Sequence, residues 1–247
     1  LEIKIVNKYI RGNIHLTKVD AEYPDNKLTG ATFEVYKDSN GSGKLDDGDE
    51  LLGTLTEKEI GSYEMKDLFY GRYFVKETKA PEGFVLDTGV YEVMIDTDGK
   101  TCEVENKAGV GFINEAMRGN LKIVKTSSDG KIKGFAFRIT GANGYDIILE
   151  TNDKGEIVIE GIRIGDYTVS EVSNSASAMY VLPADKKATV KTGSTTIVEM
   201  HNVLRDTPKT GDATNLPLLY ALAGLSAVGI AVTAFVGFKK KKKEGND

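Results

Sequence analysis

The stretch IVNKYIRGNIHLTKVD, residues 5–20, returns in altered form as FINEAMRGNLKIVKTS, residues 112–127. Three pairs of polar or glycine residues match at one constant spacing: Asn7 with Asn114, Gly12 with Gly119, and Lys18 with Lys125. Repetition at a fixed spacing indicates that one structural unit occurs more than once along the chain. Each copy therefore marks the end of one unit and the start of the next.

Two further internal matches complete the layout. LTGATFEVY (28–36) matches IKGFAFRIT (132–140), and GSYEMKDLFYGRYFVKE (61–77) matches GEIVIEGIRIGDYTVSE (155–171), with about ten extra residues in the first unit. We predict, in chain order, the last strand of a preceding domain (1–11), a first repeat (12–117), a second repeat (118–205), a linker (206–215), an apolar span (216–238) and a basic tail (239–247).

Short runs of alternating apolar and polar residues, separated by Asp-Gly, Asn-Gly and Lys-Gly turns, fill both repeats. This pattern is typical of antiparallel strands in a β-sandwich, so we expect an all-β chain of two sandwiches. A single cysteine, Cys102, excludes an internal disulfide framework, and its phase with Val104 predicts a small core residue. The net charge of −5, with the lysines clustered near the end, leaves an acidic body that does not favour nucleic-acid binding.

The C-terminal span, LPLLYALAGLSAVGIAVTAFVGF at 216–238, carries no charge. A membrane-spanning helix needs roughly 20 such residues. The five lysines that follow, 239–243, predict a cytoplasmic tail by the positive-inside rule. We therefore expect one transmembrane helix, with everything before Leu216 outside the cell.

Three polar residues in each repeat break the expected alternation, because each continues the apolar face of its strand. For example, Lys18 follows Ile14 and Leu16 in phase on the first strand. The three residues are Lys18, Glu77 and Asn114 in the first repeat and Lys125, Glu171 and Asn202 in the second. Burial of a lone lysine and a lone glutamate drives both toward their neutral forms. A neutral amine can then attack the asparagine side-chain carbonyl while a protonated glutamate moves protons, which forms an isopeptide bond. A satisfied buried ion pair is the alternative.

The order Thr207-Pro208-Lys209-Thr210-Gly211, apolar span and basic tail resembles the sortase sorting signal of Gram-positive surface proteins, with Thr207 where that signal usually has leucine. The resemblance implies that a sortase cysteine attacks the Thr210 carbonyl and releases the chain from Gly211 onward. The acyl group would pass to an amine of cell-wall peptidoglycan or of a pilin. The membrane helix would then be a temporary anchor.

The repeats themselves resemble the collagen-adhesin B-type, or SpaA-type pilin, domains, which are prealbumin-like and Ig-like sandwiches. The residues that carry this resemblance are LTKVD with Lys18, GATFEVY, YFVKETKAPEGF with Glu77, and FINE with Asn114. The resemblance implies Lys18–Asn114 and Lys125–Asn202 bonds, with Glu77 and Glu171 as proton shuttles. The second repeat departs from the pattern, since EVSNSASAMYVL replaces ETKAPEGF.

The extra segment of the first repeat has the spacing of an EF-hand-type calcium loop. Its expected oxygen ligands are Asp38, Asn40, Ser42, the Lys44 carbonyl, Asp46 and Asp49. Aspartate replaces the usual bidentate glutamate at the last position, and the flanking runs are typical of strands. A solvated acidic hairpin is the alternative.

These patterns favour a structural protein over an enzyme: an extracellular, cell-wall-anchored adhesin stalk or minor pilin subunit that requires no cofactor beyond a possible calcium ion. Two alternatives stay open. A sandwich could itself bind a host or matrix ligand, or the repeats could be the wall-spanning end of a surface enzyme encoded upstream. No Ser/His/Asp or Cys/His arrangement is evident in residues 1–205, and His15 and His201 are predicted to face solvent.

Overall fold

The computed structural model describes residues 8–206. Within them the chain forms β-strands and one turn of 3-10 helix, Ala142–Gly144, so this part of the chain holds no helix with the length and apolarity needed to cross a membrane. Several predicted features lie outside the described residues and stay predictions: Asn7, the motif at 207–211, the apolar span and the basic tail.

The first repeat contains two sheets that pack face to face. Its strands are β1 (Arg11–Asp20), β2 (Thr32–Lys37), β3 (Glu50–Thr54), β4 (Thr56–Glu59), β5 (Ser62–Phe69), β6 (Gly71–Lys79), β7 (Val90–Ile95), β8 (Thr101–Glu103) and β9 (Phe112–Asn114). One sheet has the order β4-β5-β1-β8, with β9 also paired to β1, and the other has the order β3-β2-β6-β7.

The second repeat follows the same plan. Its strands are β10 (Arg118–Ser127), β11 (Ala136–Thr140), β12 (Asp146–Glu150), β13 (Glu156–Arg163), β14 (Gly165–Val172), β15 (Tyr180–Val181), β16 (Lys186–Val190) and β17 (Thr195–Leu204). The two sheets have the orders β13-β10-β17-β15 and β12-β11-β14-β16. The expected all-β organisation is confirmed within residues 8–206.

The first and last strands of each repeat pair in parallel. In the first repeat β1 pairs with β8 and then β9, which places Lys18 opposite Phe112. In the second repeat β10 pairs along most of its length with β17, which places Lys125 opposite Met200. The expectation of antiparallel strands is wrong for this pair. The last strand enters after a crossover from the opposite sheet and not through a hairpin, and such crossovers allow parallel pairing.

Each repeat has its own apolar core between its two sheets. Burial alternates along β1, where Ile14, Leu16 and Lys18 are all fully buried. The Phe33 ring meets the Phe112 ring edge-on, with centroids 4.9 Å apart. Each fully buried apolar side chain of this size contributes about 1.5–3 kcal/mol, so these contacts fix which face of β1 points inward.

The glycine in each Arg-Gly-Asn copy is required by close packing of the backbone. A Cβ atom at Gly12 would lie 2.7 Å from the carbonyl oxygen of Lys100, and one at Gly119 would clash with the carbonyl oxygen of Lys191. Each carbonyl belongs to the turn before the strand that pairs in parallel with the first strand of its repeat: β8 with β1, and β17 with β10. The repeated glycine therefore reflects how the closing segment seats against the start of each repeat.

Arg163, the last residue of β13, joins the second repeat to the end of β1 in the first. Its guanidinium donates to both oxygens of Asp20, at 2.7 and 2.5 Å, and to Glu22 at 2.6 Å. It also lies over the Tyr23 ring, 4.9 Å from the centroid. Arg118 pairs with Glu22 as well. Because the Asp20 side chain is only 2% exposed, Arg163 supplies the charge that makes its burial tolerable.

Replacing Arg163 by alanine should lower the free energy of unfolding by about 3 kcal/mol, because Asp20 would stay buried without its cation. Arg138→Ala is the matched control, since the Arg138–Asp146 pair is largely exposed and should contribute less than about 1 kcal/mol. Denaturant titration of both variants measures the difference. Equal losses in the two variants would contradict the role given to Arg163.

Candidate functional site

Lys18, Glu77 and Asn114 come together in the core of the first repeat. Lys18 on β1 is opposite Phe112 of β9, so Asn114 lies two residues further along and on the same face. Glu77 lies on β6 in the other sheet and reaches across the core. None of the three side chains belongs to a residue that is more than 3% exposed. The phase argument from sequence therefore identified three residues that are indeed buried together.

The hydrogen bonds of this site leave the lysine without a carboxylate partner. Lys18 Nζ donates to the Phe112 carbonyl at 2.9 Å. Asn114 Nδ2 donates to Glu77 Oε2 at 2.8 Å and to the Val85 carbonyl at 2.7 Å. Among residues 8–206 Lys18 forms no ion pair within 4.0 Å. Lys18 and Glu77 therefore form no direct ion pair among the described residues, although the charge of Glu77 acts to raise the pKa of Lys18 against desolvation.

The second repeat repeats this arrangement with Lys125 on β10, Glu171 on β14 and Asn202 on β17. All three residues are buried, and Asn202 Nδ2 donates to Glu171 Oε1 at 2.6 Å. The Lys125 ammonium donates to the Thr126 carbonyl and lies 4.2 Å from the centre of the Phe135 ring. The departure of EVSNSASAMYVL from the first repeat therefore leaves the three side chains in equivalent places.

One glutamate oxygen and the asparagine carbonyl oxygen lack a hydrogen-bond donor in each repeat. These buried atoms are Glu77 Oε1, Asn114 Oδ1, Glu171 Oε2 and Asn202 Oδ1. A buried acceptor without a donor costs about 1–3 kcal/mol. A proton on the glutamate would convert one of its oxygens into a donor. Both sites therefore have the hydrogen-bond pattern expected beside a protonated glutamic acid.

Burial shifts the four titratable groups in the directions that favour their neutral forms. Desolvation lowers the pKa of Lys18 to about 8, although the charges of Glu77 and Asp87 act in the opposite direction. Desolvation also lowers the pKa of Lys125. It raises the pKa of Glu77 and the pKa of Glu171, against the hydrogen bonds from the asparagine amides. A neutral amine and a protonated carboxyl group are the states that amide exchange requires.

Sequence reasoning missed the segment that covers the first site. The Asp87 backbone N–H donates to Glu77 Oε2 at 2.8 Å, and the Asp87 carboxylate accepts from the Tyr91 hydroxyl at 2.9 Å and from Asn106 Nδ2 at 2.6 Å. Asn106 also bonds the carbonyl and the N–H of Ile113, at 2.9 and 2.6 Å. Asp87 and Asn106 lie between strands, where no alternation marks a residue as buried.

Two concave regions adjoin these residues. A cavity of about 330 Å³ is lined by Asp87, Tyr91, Asn106 and Asn114, so it opens directly beside the first site. A larger cleft of about 1150 Å³ lies between the two repeats, beside Arg163. The smaller cavity provides a space into which the asparagine amide nitrogen could move as a leaving group.

The acidic loop at 38–49 lies between β2 and β3, so strands flank it as the sequence predicted. Its oxygens are mostly held by the loop itself: Asp38 Oδ2 accepts from the Gly43 N–H at 3.1 Å, and Asp49 Oδ2 accepts from the Asp46 N–H at 3.0 Å. Asp38 Oδ1 is buried without a donor, and the Arg72 guanidinium lies 3.4 Å from Asp38 Oδ2. An unpartnered carboxylate oxygen fits a cation.

The acidic side chains among the other predicted ligands of this loop do not converge on one point. Asn40 Nδ2 donates to Asp46 Oδ1 at 2.8 Å, and the Ser42 hydroxyl donates to the Lys44 carbonyl at 2.8 Å. Across residues 8–206 no set of three or more His, Cys, Asp or Glu side chains is placed to hold a metal ion. The calcium site therefore stays a prediction.

His15 lies on the outer face of its sheet and bonds two neighbours. Its Nδ1 is 2.7 Å from Glu103 Oε2, and its Nε2 is 2.9 Å from Ser62 Oγ. His15 links β5, β1 and β8 side by side, which is the cross-strand pairing that stabilises a sheet.

Comparison with known families identifies the class of domain. The arrangement is a tandem of sandwiches in which a buried lysine and a buried asparagine on paired outer strands face a glutamate from the opposite sheet. The SpaA family, described as a prealbumin-like fold domain, matches residues 12–108 and 119–204. The chain therefore belongs to the SpaA prealbumin-like domain family, and the expected fold of both repeats is confirmed.

Similar individual proteins include one surface protein and two solved structures. The trypsin-resistant surface T6 protein of Streptococcus pyogenes serotype M6 is 26% identical over 204 residues, which cover 70% of this chain and 35% of that protein. The Bacillus anthracis TIE protein has a similar fold, with a TM-score of 0.57 and 23% identity, covering 79% of this chain and 34% of that one. GBS52, the minor pilin of Streptococcus agalactiae, matches at 18% identity and a TM-score of 0.38, covering 81% of this chain and 99% of that one. The chain spans about a third of the T6 and TIE proteins.

Proposed function

We propose that this chain is the wall-proximal stalk of a Gram-positive surface protein or minor pilin, whose two domains are each closed by a Lys–Asn isopeptide bond. The observation that carries the proposal is the duplicated site: in both repeats a buried lysine without an ion pair lies near a buried asparagine that bonds a glutamate. Membership of the SpaA domain family and the similarity to a surface protein of S. pyogenes support a structural role.

The chemistry within each site balances without a cofactor or an oxidant. The neutral lysine Nζ attacks the asparagine Cγ, and a C–N bond forms while the original Cγ–Nδ2 bond breaks. The glutamic acid donates a hydrogen bond to the Asn Oδ1 atom, takes a proton from the attacking amine and passes one to the leaving nitrogen. Ammonia leaves, and a secondary amide joins the two strands. Burial at fixed positions supplies the orientation that makes the exchange possible.

The proposed bonds replace disulfides as covalent reinforcement. Closing a loop of about 100 residues restricts the unfolded chain by roughly 4–5 kcal/mol in the chain-entropy model for cross-links. The bonds would also remove the two buried lysine charges, whose desolvation is only partly offset by the charges of nearby carboxylates such as Glu77 and Glu171. Because each bond joins the first and last strands of a repeat, a pulling force would pass from one strand to the other without unfolding the sandwich.

The proposed attachment to the cell wall rests on sequence. The motif at 207–211, the apolar span and the basic tail have the order of a sorting signal. In this proposal a sortase is the first partner, and an amine of peptidoglycan or of a pilin is the acceptor. The domains lie outside the membrane, and the chain is not a turnover enzyme. A host or matrix ligand would bind elsewhere on the same surface protein or in the cleft between the repeats.

Calcium binding to the acidic loop forms a separate part of the proposal. Asp38, with its unpartnered oxygen, would be the central ligand, and the remaining oxygens would come from Asn40, Ser42, the Lys44 carbonyl, Asp46 and Asp49. A bound cation would neutralise the loop and fix its path between β2 and β3. The Arg72 guanidinium beside Asp38 supplies part of this positive charge without a metal.

Intact-mass spectrometry should find the chain lighter than its sequence by two molecules of ammonia, one for each bond. Glu77→Ala should restore one ammonia and Glu171→Ala the other, because each removes the proton shuttle of one site. Glu160→Ala, at an exposed position, is the control and should restore none. A wild-type mass equal to that of the unmodified sequence would refute both bonds.

Protein released from the cell wall by muralytic digestion should end at Thr210, since the sorting motif predicts cleavage before Gly211. Thr210→Ala should shift the protein from the wall fraction to the membrane fraction. Thr214→Ala, outside the motif, should leave wall attachment unchanged. Recovery of wall-derived protein that still contains Gly211 and the apolar span would reject sortase processing.

Calorimetric titration with calcium should give heat for the wild-type chain and none for Asp38→Asn, which lacks the charge of the central ligand. Asp153→Asn is the control because it lies in an exposed turn of the second repeat. Chelator should lower the melting temperature of the first repeat only. Absence of heat together with unchanged melting in chelator would eliminate calcium binding.

A further inference from the structure

One short segment, residues 85–87, contacts two of the three reactive residues of the first site, Glu77 and Asn114. The Val85 carbonyl accepts a hydrogen bond from Asn114 Nδ2 at 2.7 Å, and the Asp87 N–H donates to Glu77 Oε2 at 2.8 Å. The Val85 N–H also donates to the carbonyl of Glu115, next to Asn114 in sequence, at 2.8 Å. The position of this segment therefore sets the position of the glutamate relative to the asparagine amide.

The Asp87 side chain holds that segment in place. Its Oδ1 atom accepts from the Gly89 N–H at 2.6 Å, which closes a local turn. Its Oδ2 atom accepts from the Tyr91 hydroxyl on β7 and from Asn106 Nδ2. Asn106 in turn bonds both backbone groups of Ile113, the residue before Asn114. Asp87 thus connects the segment that holds the glutamate to the strand that carries the asparagine.

The second repeat lacks this connection. YVLP at 180–183 corresponds to FVLD at 84–87, so Pro183 takes the place of Asp87. Proline has no backbone N–H and no carboxylate, and it cannot make any of the bonds that Asp87 makes. Among the described residues Glu171 accepts a hydrogen bond from Asn202 alone, whereas Glu77 accepts from both Asn114 and the Asp87 N–H. The two repeats therefore share their reactive residues and differ in what positions them.

We propose that Asp87 is a positioning residue for the Lys18–Asn114 bond: it promotes the bond by fixing the 85–87 segment against Glu77, and its permanent negative charge sets the pH range in which the bond forms. This inference rests on the proposed function, because it assigns a role in the isopeptide reaction. Asp87 does not touch the reacting atoms through its side chain. It acts through its backbone N–H, through Asn106 and through its charge.

The charge of Asp87 has a definite effect on the two groups that exchange protons. Hydrogen bonds from Asn106, Gly89 and Tyr91 outweigh burial and hold the pKa of Asp87 below its usual range, so it stays ionised. Its charge raises the pKa of Glu77 and opposes the fall in the pKa of Lys18. The other titratable groups around the site are Asp20 on β1 and Tyr91 on β7.

Removing this charge should move the whole pH profile in one direction. The reaction needs a neutral Lys18 and a protonated Glu77. Without the Asp87 charge both pKa values fall, so the amine becomes available at lower pH and the glutamate loses its proton at lower pH. The pH optimum of bond formation should therefore move downward in Asp87→Asn. A variant that only loosens the structure would react more slowly with the optimum unchanged.

The test follows bond formation in the full chain. Chain recovered unfolded in denaturant, with the unmodified mass confirmed, is diluted into buffers from acidic to alkaline pH, and ammonia loss is followed by intact-mass spectrometry. Peptide mapping assigns each loss to Lys18–Asn114 or to Lys125–Asn202. The second bond is an internal control in every sample, and Asp96→Asn, at an exposed position, is the matched control variant.

In Asp87→Asn we expect the Lys18–Asn114 bond to form at least about tenfold more slowly and with a lower pH optimum, while the Lys125–Asn202 bond is unaffected. Tyr91→Phe removes one hydrogen bond to Asp87 but keeps its charge, so it should slow the reaction without moving the optimum. It also keeps the ring that packs on Phe112 and tests the inference if Asp87→Asn does not fold.

Wild-type rates and optima in both variants would overturn the role of Asp87 while leaving the isopeptide bond itself intact. Slower reaction in Asp87→Asn with an unchanged optimum would overturn the part played by the charge. Absence of the Lys18–Asn114 bond from the wild-type chain would instead refute the proposed function, and the inference with it. The three failures are therefore distinguishable.

Discussion

The structure of each repeat depends on a lysine amine that is buried between the two sheets, with no carboxylate within ion-pair distance among residues 8–206. Lys18 and Lys125 are at most 1% exposed, and each Nζ atom donates to a backbone carbonyl in place of a carboxylate. An isolated buried ammonium is among the most expensive groups a core can contain. Burial therefore favours the neutral amine or its conversion to an amide. The neighbouring asparagine and glutamate supply a route to the second outcome.

The parallel pairing of first and last strands makes that route possible. It places the lysine and the asparagine on one face, two residues apart in register. The opposite sheet then supplies the glutamate. Beyond the sites, Arg163 and Asp20 tie the second repeat to the end of β1. Force applied along the chain would therefore meet a proposed covalent bond within each repeat and an ionic contact between them.

The fold and the main site could be predicted from sequence because both depend on strand periodicity. A polar residue in phase with apolar neighbours can be recognised from the sequence alone. The internal repeat places Lys18 and Lys125 at matching positions, which indicates that their burial has a common cause. Asp87 and Asn106 could not be found this way, since they lie in connections that have no period. Arg163 was equally hidden, because Phe69 holds its place in the first repeat and no shared pattern marks it. The parallel pair depends on a crossover between sheets, which local sequence does not encode.

The proposed covalent link between the first and last strands of each repeat can be tested by single-molecule pulling on both ends of the two-repeat segment. With both bonds present, the segments between Lys18 and Asn114 and between Lys125 and Asn202 cannot extend, so we expect no unfolding step from either sandwich. Without them the first repeat alone would lengthen by roughly 300 Å, at about 3.3–3.6 Å per residue. Unfolding steps of that size in the wild-type protein would refute the link.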